Sequence, residues 1–153
     1  MKKFAICLAV FGVVFSVMAA ETVGKELFTN RWSAPDKQGA VKVGNGIVFT
    51  YNGEKAGALS GSSSFKVEPG KTYAVTAVVK TEKEKPQLAL RIRYGKERKH
   101  LAWTVQEDKS LLAKGEFTIP ENIKTADFSI WQGKVSKGEK ITVVSCSVKE
   151  IKK

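Results

Sequence analysis

Beyond residue 20, apolar and polar residues alternate with the period of two that is typical of β-strands. In QLALRIRY (87–94), the leucines and Ile92 point to one face and the two arginines point to the other. In ADFSIWQ (126–132), the same alternation places Phe128 inward and Trp131 outward. The pattern predicts further strands at residues 41–51, 62–67, 72–80, 99–105, 113–119 and 140–151.

Turn-forming residues separate these strands, notably Asn45-Gly46, Pro69-Gly70 and the break at Pro120. Asn45-Gly46 lies between two β-rich runs and predicts a two-residue hairpin. In 140–151 the apolar residues change sides along the strand, which predicts a bulge or bend. Only residues 107–114 have a helical pattern. Short strands at regular spacing, joined by polar turns, predict an antiparallel sandwich or barrel.

The first twenty residues have the three parts of a secretory signal peptide, which we expect to be helical. Lys2 and Lys3 supply the positive charge, an uncharged apolar run follows, and small residues close the segment at Ala19 and Ala20. Cleavage is expected near these alanines. The apolar run is shorter than the roughly 20 residues that cross a bilayer, which disfavours the alternative of an uncleaved anchor. We therefore expect residues 21–153 to form one domain, secreted or periplasmic and not inserted in a membrane.

The chain is basic, with 26 Lys and Arg against 15 Asp and Glu, a formal net charge of +11. Removal of residues 1–20 would leave 24 basic groups, or +9. This charge is dispersed, and it is consistent with solubility alone or with attraction to an anionic surface. Cys146 is the one cysteine beyond the signal segment, so an internal disulfide is not expected and packing must hold the fold together.

A longer resemblance begins at FKVEPGKTYAVTAVVKTE (65–82). This segment resembles the F-x-V-x-P-G-K-x-Y pattern of secreted carbohydrate-binding modules of the CenC type, in the galactose-binding-like jelly-roll superfamily. The likeness continues with ELFTNRW near the start, Trp103 followed by GEFTIP, and a closing strand, and it spans roughly residues 26–151. It implies an all-β jelly-roll sandwich that binds sugar.

The chain departs from this family at two places. Family members often carry an outward aromatic residue where this chain has Val78. They also carry an acidic pair, tied to a structural calcium ion, where this chain has Ser145, Cys146 and Ser147. Because calcium prefers several oxygen ligands including carboxylates, we expect no metal at this position. No cofactor is expected either.

A sugar-binding sheet needs a flat apolar platform and planar groups that bond hydroxyls. Trp131 is the candidate platform, Arg91 and Arg93 are candidate hydrogen-bonding forks, and Gln87 would stand at the edge of the same surface. The alternative is that both arginines are solvated charges on a half-wet sheet and that Trp131 packs against a loop.

The remaining aromatic residues divide into two groups. Trp103 alternates with apolar neighbours, which predicts a core position. Tyr51 and Trp32 lie near turns, where either rim packing or ligand contact fits the sequence, so Tyr51 is a further candidate for sugar binding. The phenylalanines predicted to lie in the core are Phe49, Phe65, Phe117 and Phe128.

Catalysis finds little support in the sequence. The one histidine, His100, lies in a basic segment, residues 61–65 lack the glycine pattern of a nucleophile elbow, and no spacing singles out two carboxylates. Secretion disfavours nucleic acid as a partner. We therefore expect a non-catalytic module that binds a polysaccharide or glycan on an outer sheet face, with the charge favouring an acidic one. The alternative is a structural or interaction domain that binds another secreted or envelope protein.

Overall fold

The structure is a computed structural model that describes residues 24–35 and 38–152. Within these residues the chain forms eleven strands and no helix. The expected signal peptide and its cleavage site lie outside the described residues. No segment of the described chain is a helix of the length and apolar character that would cross a membrane. The strands are β1 (Trp32–Ser33), β2 (Gln38–Val43), β3 (Gly46–Tyr51), β4 (Gly57–Lys66), β5 (Thr72–Thr81), β6 (Leu88–Tyr94), β7 (Glu97–His100), β8 (Ala102–Val105), β9 (Leu111–Thr118), β10 (Thr125–Val135) and β11 (Lys140–Glu150).

The strands pair in two antiparallel sheets. The five-stranded sheet has the order β1-β4-β10-β6-β7, and the six-stranded sheet has the order β2-β3-β11-β5-β9-β8. From β3 onwards the chain passes back and forth between the sheets, with hairpins at β6–β7 and β8–β9. This arrangement confirms the predicted all-β antiparallel sandwich of the jelly-roll type.

The core lies between the two sheets, where the longer strands β3, β4, β5, β6, β9, β10 and β11 turn their apolar sides inward. The four phenylalanines predicted to be internal are all buried there. Tyr73 begins β5 with its ring buried, stacked on Phe117 at a centroid distance of 5.5 Å, and its hydroxyl accepts a hydrogen bond of 2.8 Å from the Glu68 amide. The preceding Pro69-Gly70 turn requires glycine, because Gly70 has a φ of 73°. The best-matched segment of the family resemblance therefore serves the fold.

The first hairpin turns one residue earlier than predicted. Val43 pairs with Gly46, so the turn residues are Gly44 and Asn45 rather than Asn45 and Gly46. Gly44 has a φ of 58°, as the first central residue of a type II′ turn requires. Gly46 lies in β3, where a Cβ would meet the Val143 carbonyl oxygen at 2.4 Å.

The predicted helical segment 107–114 is a turn followed by the start of β9. Asp108 accepts hydrogen bonds from the amide and the hydroxyl of Ser110, at 3.0 and 2.5 Å, and this local bonding competes with a helix. Leu111 then pairs with Val79 and Val105. Tertiary pairing outweighs the local helical pattern here.

The bulge predicted in the last strand is confirmed. The register of β11 against β5 shifts between Val143 and Ser145. Ile141 and Val143 are buried before the shift and Val148 is buried after it, so the extra residue keeps an apolar side chain facing the core on both sides.

Candidate functional site

The outward side chains of the five-stranded sheet form rows across three neighbouring strands. Ser129 of β10 lies opposite Ser62 of β4 and Arg91 of β6, and Trp131 lies opposite Ser60. Directly opposed residues share one face of a sheet, so these side chains form one surface. Together with the segment after β1 they border a groove of about 400 Å³, here called the outer groove. Its lining residues are Ser33, Ala34, Pro35, Ser60, Gly61, Ser62, Arg91, Arg93, Ser129, Ile130 and Trp131.

Trp131 forms one end of the outer groove. It faces outward as predicted, with 37% of its surface exposed, although the residues on either side in β10 are buried. The indole extends over Gly133, where a Cβ would come within 2.6 Å of ring atom Cη2 and 3.1 Å of Gln87 Oε1. The absence of a side chain at Gly133 thus leaves room for the ring beside Gln87. Gln87 therefore lies beside the Trp131 ring but is not among the residues that line the groove.

The two arginines in the outer groove differ in their partners. Arg93 Nη2 lies 3.3 Å from Asp127 Oδ2, and the Asp127 carboxylate also accepts a hydrogen bond from Ser64. Arg91 is half-buried, its Nε is buried without a hydrogen-bond partner, and it forms no ion pair within the described part of the chain. Arg91 is therefore the guanidinium group in the groove that has no carboxylate partner among the described residues.

Tyr51, the fifth candidate from the sequence, lies away from the outer groove. It belongs to β3 of the other sheet, the residue is 8% exposed, and its hydroxyl donates a hydrogen bond of 2.9 Å to the Lys55 carbonyl. A loop-edge ligand contact does not fit this position, because the ring is covered by its own loop. Tyr51 lies two residues after Phe49 in the same strand, and Phe49 is buried, so the alternation of the strand already predicts that Tyr51 faces inward.

Trp32 packs at the rim of the core. Its Nε1 donates a hydrogen bond of 2.7 Å to Asn30 Oδ1, and its ring makes edge contacts with Phe49 and Phe128 at centroid distances of 5.4 and 5.8 Å. Trp103 is half-buried against the core from β8 of the six-stranded sheet. Of the three tryptophans, Trp131 is the one in the outer groove.

The sequence reasoning missed the serines that β4 contributes to the outer groove. Ser60 and Ser62 point outward from β4, while Ser63 is fully buried. Alternation within residues 57–66 carries this signal, but the sequence does not reveal that β4 lies beside β10 rather than beside another strand. The hydroxyls add donors and acceptors between the wall after β1 and the arginines of β6.

The residues of the closing strand do not fit the structural calcium ion that members of the resembled family carry there. Glu26 is the carboxylate at this place, and it accepts hydrogen bonds from the amides of Phe28 and Val148, at 2.9 and 2.8 Å, and from the Ser147 hydroxyl at 2.5 Å. A carboxylate that already holds three donors, beside two hydroxyls and a thiol, is a poor calcium ligand set. Within residues 24–35 and 38–152, no three His, Cys, Asp or Glu side chains come together as a metal-binding group.

The Cys146 thiol lies next to this carboxylate. Burial raises the pKa of Cys146 far above its ordinary range, and the negative charge of Glu26 raises it further. The thiolate is the nucleophilic form of cysteine, so this shift disfavours reaction of the thiol at neutral pH. Cys146 therefore acts as a small residue of β11.

Comparisons with known proteins give similarity in structure alone. No family model matches the chain, and no curated protein matches it in sequence. Among solved structures, a Clostridium thermocellum endo-1,4-β-D-xylanase fragment with CBM22-1 and GH10 modules, complexed with xylohexaose, superposes with a TM-score of 0.59 at 12% identity. That match covers 83% of this chain but 27% of the xylanase chain, so the chain spans about a quarter of that protein's length.

Two structures of separate binding modules are also similar. A CBM4 structure has a TM-score of 0.53 at 12% identity and covers 79% of this chain and 87% of its own. The CBM22-1 xylan-binding domain of Paenibacillus barcinonensis Xyn10C has a TM-score of 0.51 at 10% identity and covers 85% and 97%. At these identities the likeness establishes the fold: this chain has the sandwich of carbohydrate-binding modules.

Proposed function

We propose that this protein is a secreted or periplasmic, non-catalytic module that binds a polysaccharide or glycan in the outer groove. The observation that carries the proposal is the position of Trp131, an outward aromatic ring at the end of a groove that also holds two arginines and a row of serines. The sandwich fold, shared with carbohydrate-binding modules, and the sequence resemblance to the CenC type support it.

Each type of side chain in the groove has a part in this proposal. The exposed indole of Trp131 stacks on the C–H face of a pyranose ring, where apolar contact is available in an otherwise hydroxylated ligand. Gln87 bonds hydroxyls beside the stacked ring. Arg91 supplies a planar fork of donors, and the hydroxyls of Ser62 and Ser129 bond the sugar between these points.

The groove favours binding of a glycan without catalysis. Among the residues that the structure describes, those that line the groove carry no carboxyl group, whereas glycoside hydrolysis ordinarily uses two of them on either side of the scissile bond. The Asp127 carboxylate on the same sheet face is engaged by Arg93 and Ser64. Residues of this kind hold a ligand and leave its bonds intact.

A second function is favoured by a different surface. β2 forms one edge of the six-stranded sheet, and Val41 and Val43 on it are 63% and 59% exposed. An exposed edge strand with apolar side chains offers backbone groups to a strand of another protein. Recovery of one stoichiometric protein partner, lost on Val41→Lys, together with no binding to any glycan, would favour this alternative.

Calorimetry against a panel of soluble glycans tests the proposed function. We expect at least one glycan to bind, and Trp131→Ala to weaken it by about 30-fold or more, the loss typical of a central aromatic contact. Trp103→Ala is the matched control, because it removes the same side chain from the other sheet. No binding by any glycan, or equal losses in the two variants when both are folded by circular dichroism, would contradict the proposal.

A further inference from the structure

Positive charge continues from the outer groove onto the β6–β7 hairpin. Arg91 lies opposite His100, and Arg93 lies opposite Arg98, so all four side chains belong to the same outer face as Trp131. Arg98 and His100 are exposed. Neighbouring strands lie about 4.8 Å apart. The four adjacent strands β4, β10, β6 and β7 therefore extend this surface over about 14 Å, which is room for a few sugar residues.

The outer face of this sheet carries more positive charge than its own carboxylate balances. On the paired rows of its strands there are four permanent cations, Lys66, Arg91, Arg93 and Arg98, and one carboxylate, Asp127. The hairpin adds a second carboxylate, Glu97, which borders the same cavity as Arg93 and Arg98. Arg93 and Arg98 lie directly opposite each other, and like charges at such positions destabilise an antiparallel pair. Asp127 already pairs with Arg93, so Arg98 is the member of this pair whose charge a bound anion would balance.

Outward cations also occur on the six-stranded sheet, whose paired rows carry Lys80, Lys114, Lys140 and Lys149 and one carboxylate, Glu116. The five-stranded sheet differs in the kind and placement of its cations. Three of them, Arg91, Arg93 and Arg98, are arginines on the adjacent strands β6 and β7, on the same face as Trp131.

Arg91 lines the outer groove and is a residue of this charged surface that a ligand in the groove would meet. Its buried Nε lacks a hydrogen-bond partner among the described residues, and those of them that line the groove include no acidic side chain. A guanidinium binds a carboxylate through two parallel hydrogen bonds, a geometry that a sugar hydroxyl cannot reproduce. A carboxylate on a ligand would satisfy this group and would lie within reach of the second cationic row.

From these observations we infer that the ligand of the outer groove is an anionic polysaccharide whose carboxylate groups are bound by Arg91 and by the cations of the β6–β7 hairpin. The inference rests on the proposed function and narrows it to polymers that contain uronic acid. Trp131 stacks on one sugar ring, and the carboxylate of a neighbouring residue in the same chain meets Arg91.

The test compares an oligogalacturonate with its methyl-esterified form of equal length, by calorimetry at physiological ionic strength. The two ligands share the same sugar backbone and differ in charge. We expect the free acid to bind at least about tenfold more tightly, since a charge-assisted hydrogen bond of this kind is typically worth a factor of about 10 to 100. Arg91→Gln and the exposed Arg98→Gln should both reduce this preference, and Lys114→Gln, which removes the same charge from the other sheet, should leave it unchanged.

Other outcomes separate this inference from the proposed function. Equal binding of acid and ester, both lost in Trp131→Ala, would overturn the inference and leave glycan binding in place. If neither oligogalacturonate binds and no other glycan binds either, the inference and the proposed function are both overturned. Tighter binding of a sulfated oligosaccharide, or of single-stranded DNA with the same dependence on Arg91, would overturn the assignment to carboxylate-bearing polysaccharide.

Discussion

Replacement of Glu26 by alanine should destabilise the fold more than its exposed position suggests. The Glu26 carboxylate ties the first described segment to β11, through the Val148 amide and the Ser147 hydroxyl, and it also accepts a hydrogen bond from the Phe28 amide. Backbone pairing continues the attachment, with Glu26 bridged to Lys149. Alanine keeps the backbone bridge and removes three acceptor contacts at once.

The size of the effect follows from the number of bonds. A hydrogen bond contributes about 0.5–1.5 kcal/mol net, so the loss of three predicts a fall of about 2–4 kcal/mol in the free energy of unfolding. For a domain of this size each kcal/mol lowers Tm by about 4 °C, which predicts a fall of about 8–16 °C. Glutamine in place of Glu26 should lose less, because it keeps one acceptor oxygen.

Urea and thermal unfolding followed by circular dichroism would measure this difference at neutral pH. Glu116→Ala is the matched control, since Glu116 is an exposed carboxylate on β9 for which the described structure shows no hydrogen bond or ion pair. A loss in Glu26→Ala no larger than in Glu116→Ala would refute the reasoning. It would mean that the bridge and the packing of the N-terminal segment hold without the carboxylate.

Three further predictions concern other parts of the sandwich. Hydrogen bonds from the hydroxyl and amide of Ser110 lower the pKa of Asp108 from 3.8 to about 2. The stability that the Asp108 carboxylate gives to the fold is thus complete above pH 3.8 and is lost as the pH falls toward 2. The pKa of Asp108 measured by NMR titration should rise in Ser110→Ala. Gly61→Ala places a Cβ 2.3 Å from the Phe49 ring, so chemical denaturation should show a loss of about 1–3 kcal/mol, and an unchanged midpoint would contradict the packing described. Because burial raises the pKa of Cys146, a thiol reagent at neutral pH should label the native protein far more slowly than the urea-unfolded protein; equal rates would contradict the burial.

Much of the fold and the outer face could be predicted because a strand has a strict period of two. Once Ile92 is assigned inward, Arg91 and Arg93 must face outward. By the same argument, Phe128 faces the core and Trp131 faces outward. The bulge in β11 was also visible, since the apolar residues of that strand change sides. These features depend on local alternation, which one sequence displays in full.

The remaining features depend on which strands become neighbours. Nothing in the alternation tells that β4 lies beside β10, so the serines opposite Trp131 and Ser129 were not foreseen. The pairing of Arg98 with Arg93 likewise arises from the length of the β6–β7 turn. Tyr51 was placed at a loop edge because of its nearby turn, although the alternation with Phe49 directs it inward.

The most direct test of the central claim is an NMR titration that follows the three tryptophan indole N–H signals as oligogalacturonate is added. The account predicts that the Trp131 signal shifts and saturates together with the Arg91 Nε–H signal, while those of Trp32 and Trp103 stay in place. A shift of the Trp103 signal with Trp131 unmoved would contradict it, and so would the absence of any indole shift with this ligand, its methyl ester and xylohexaose.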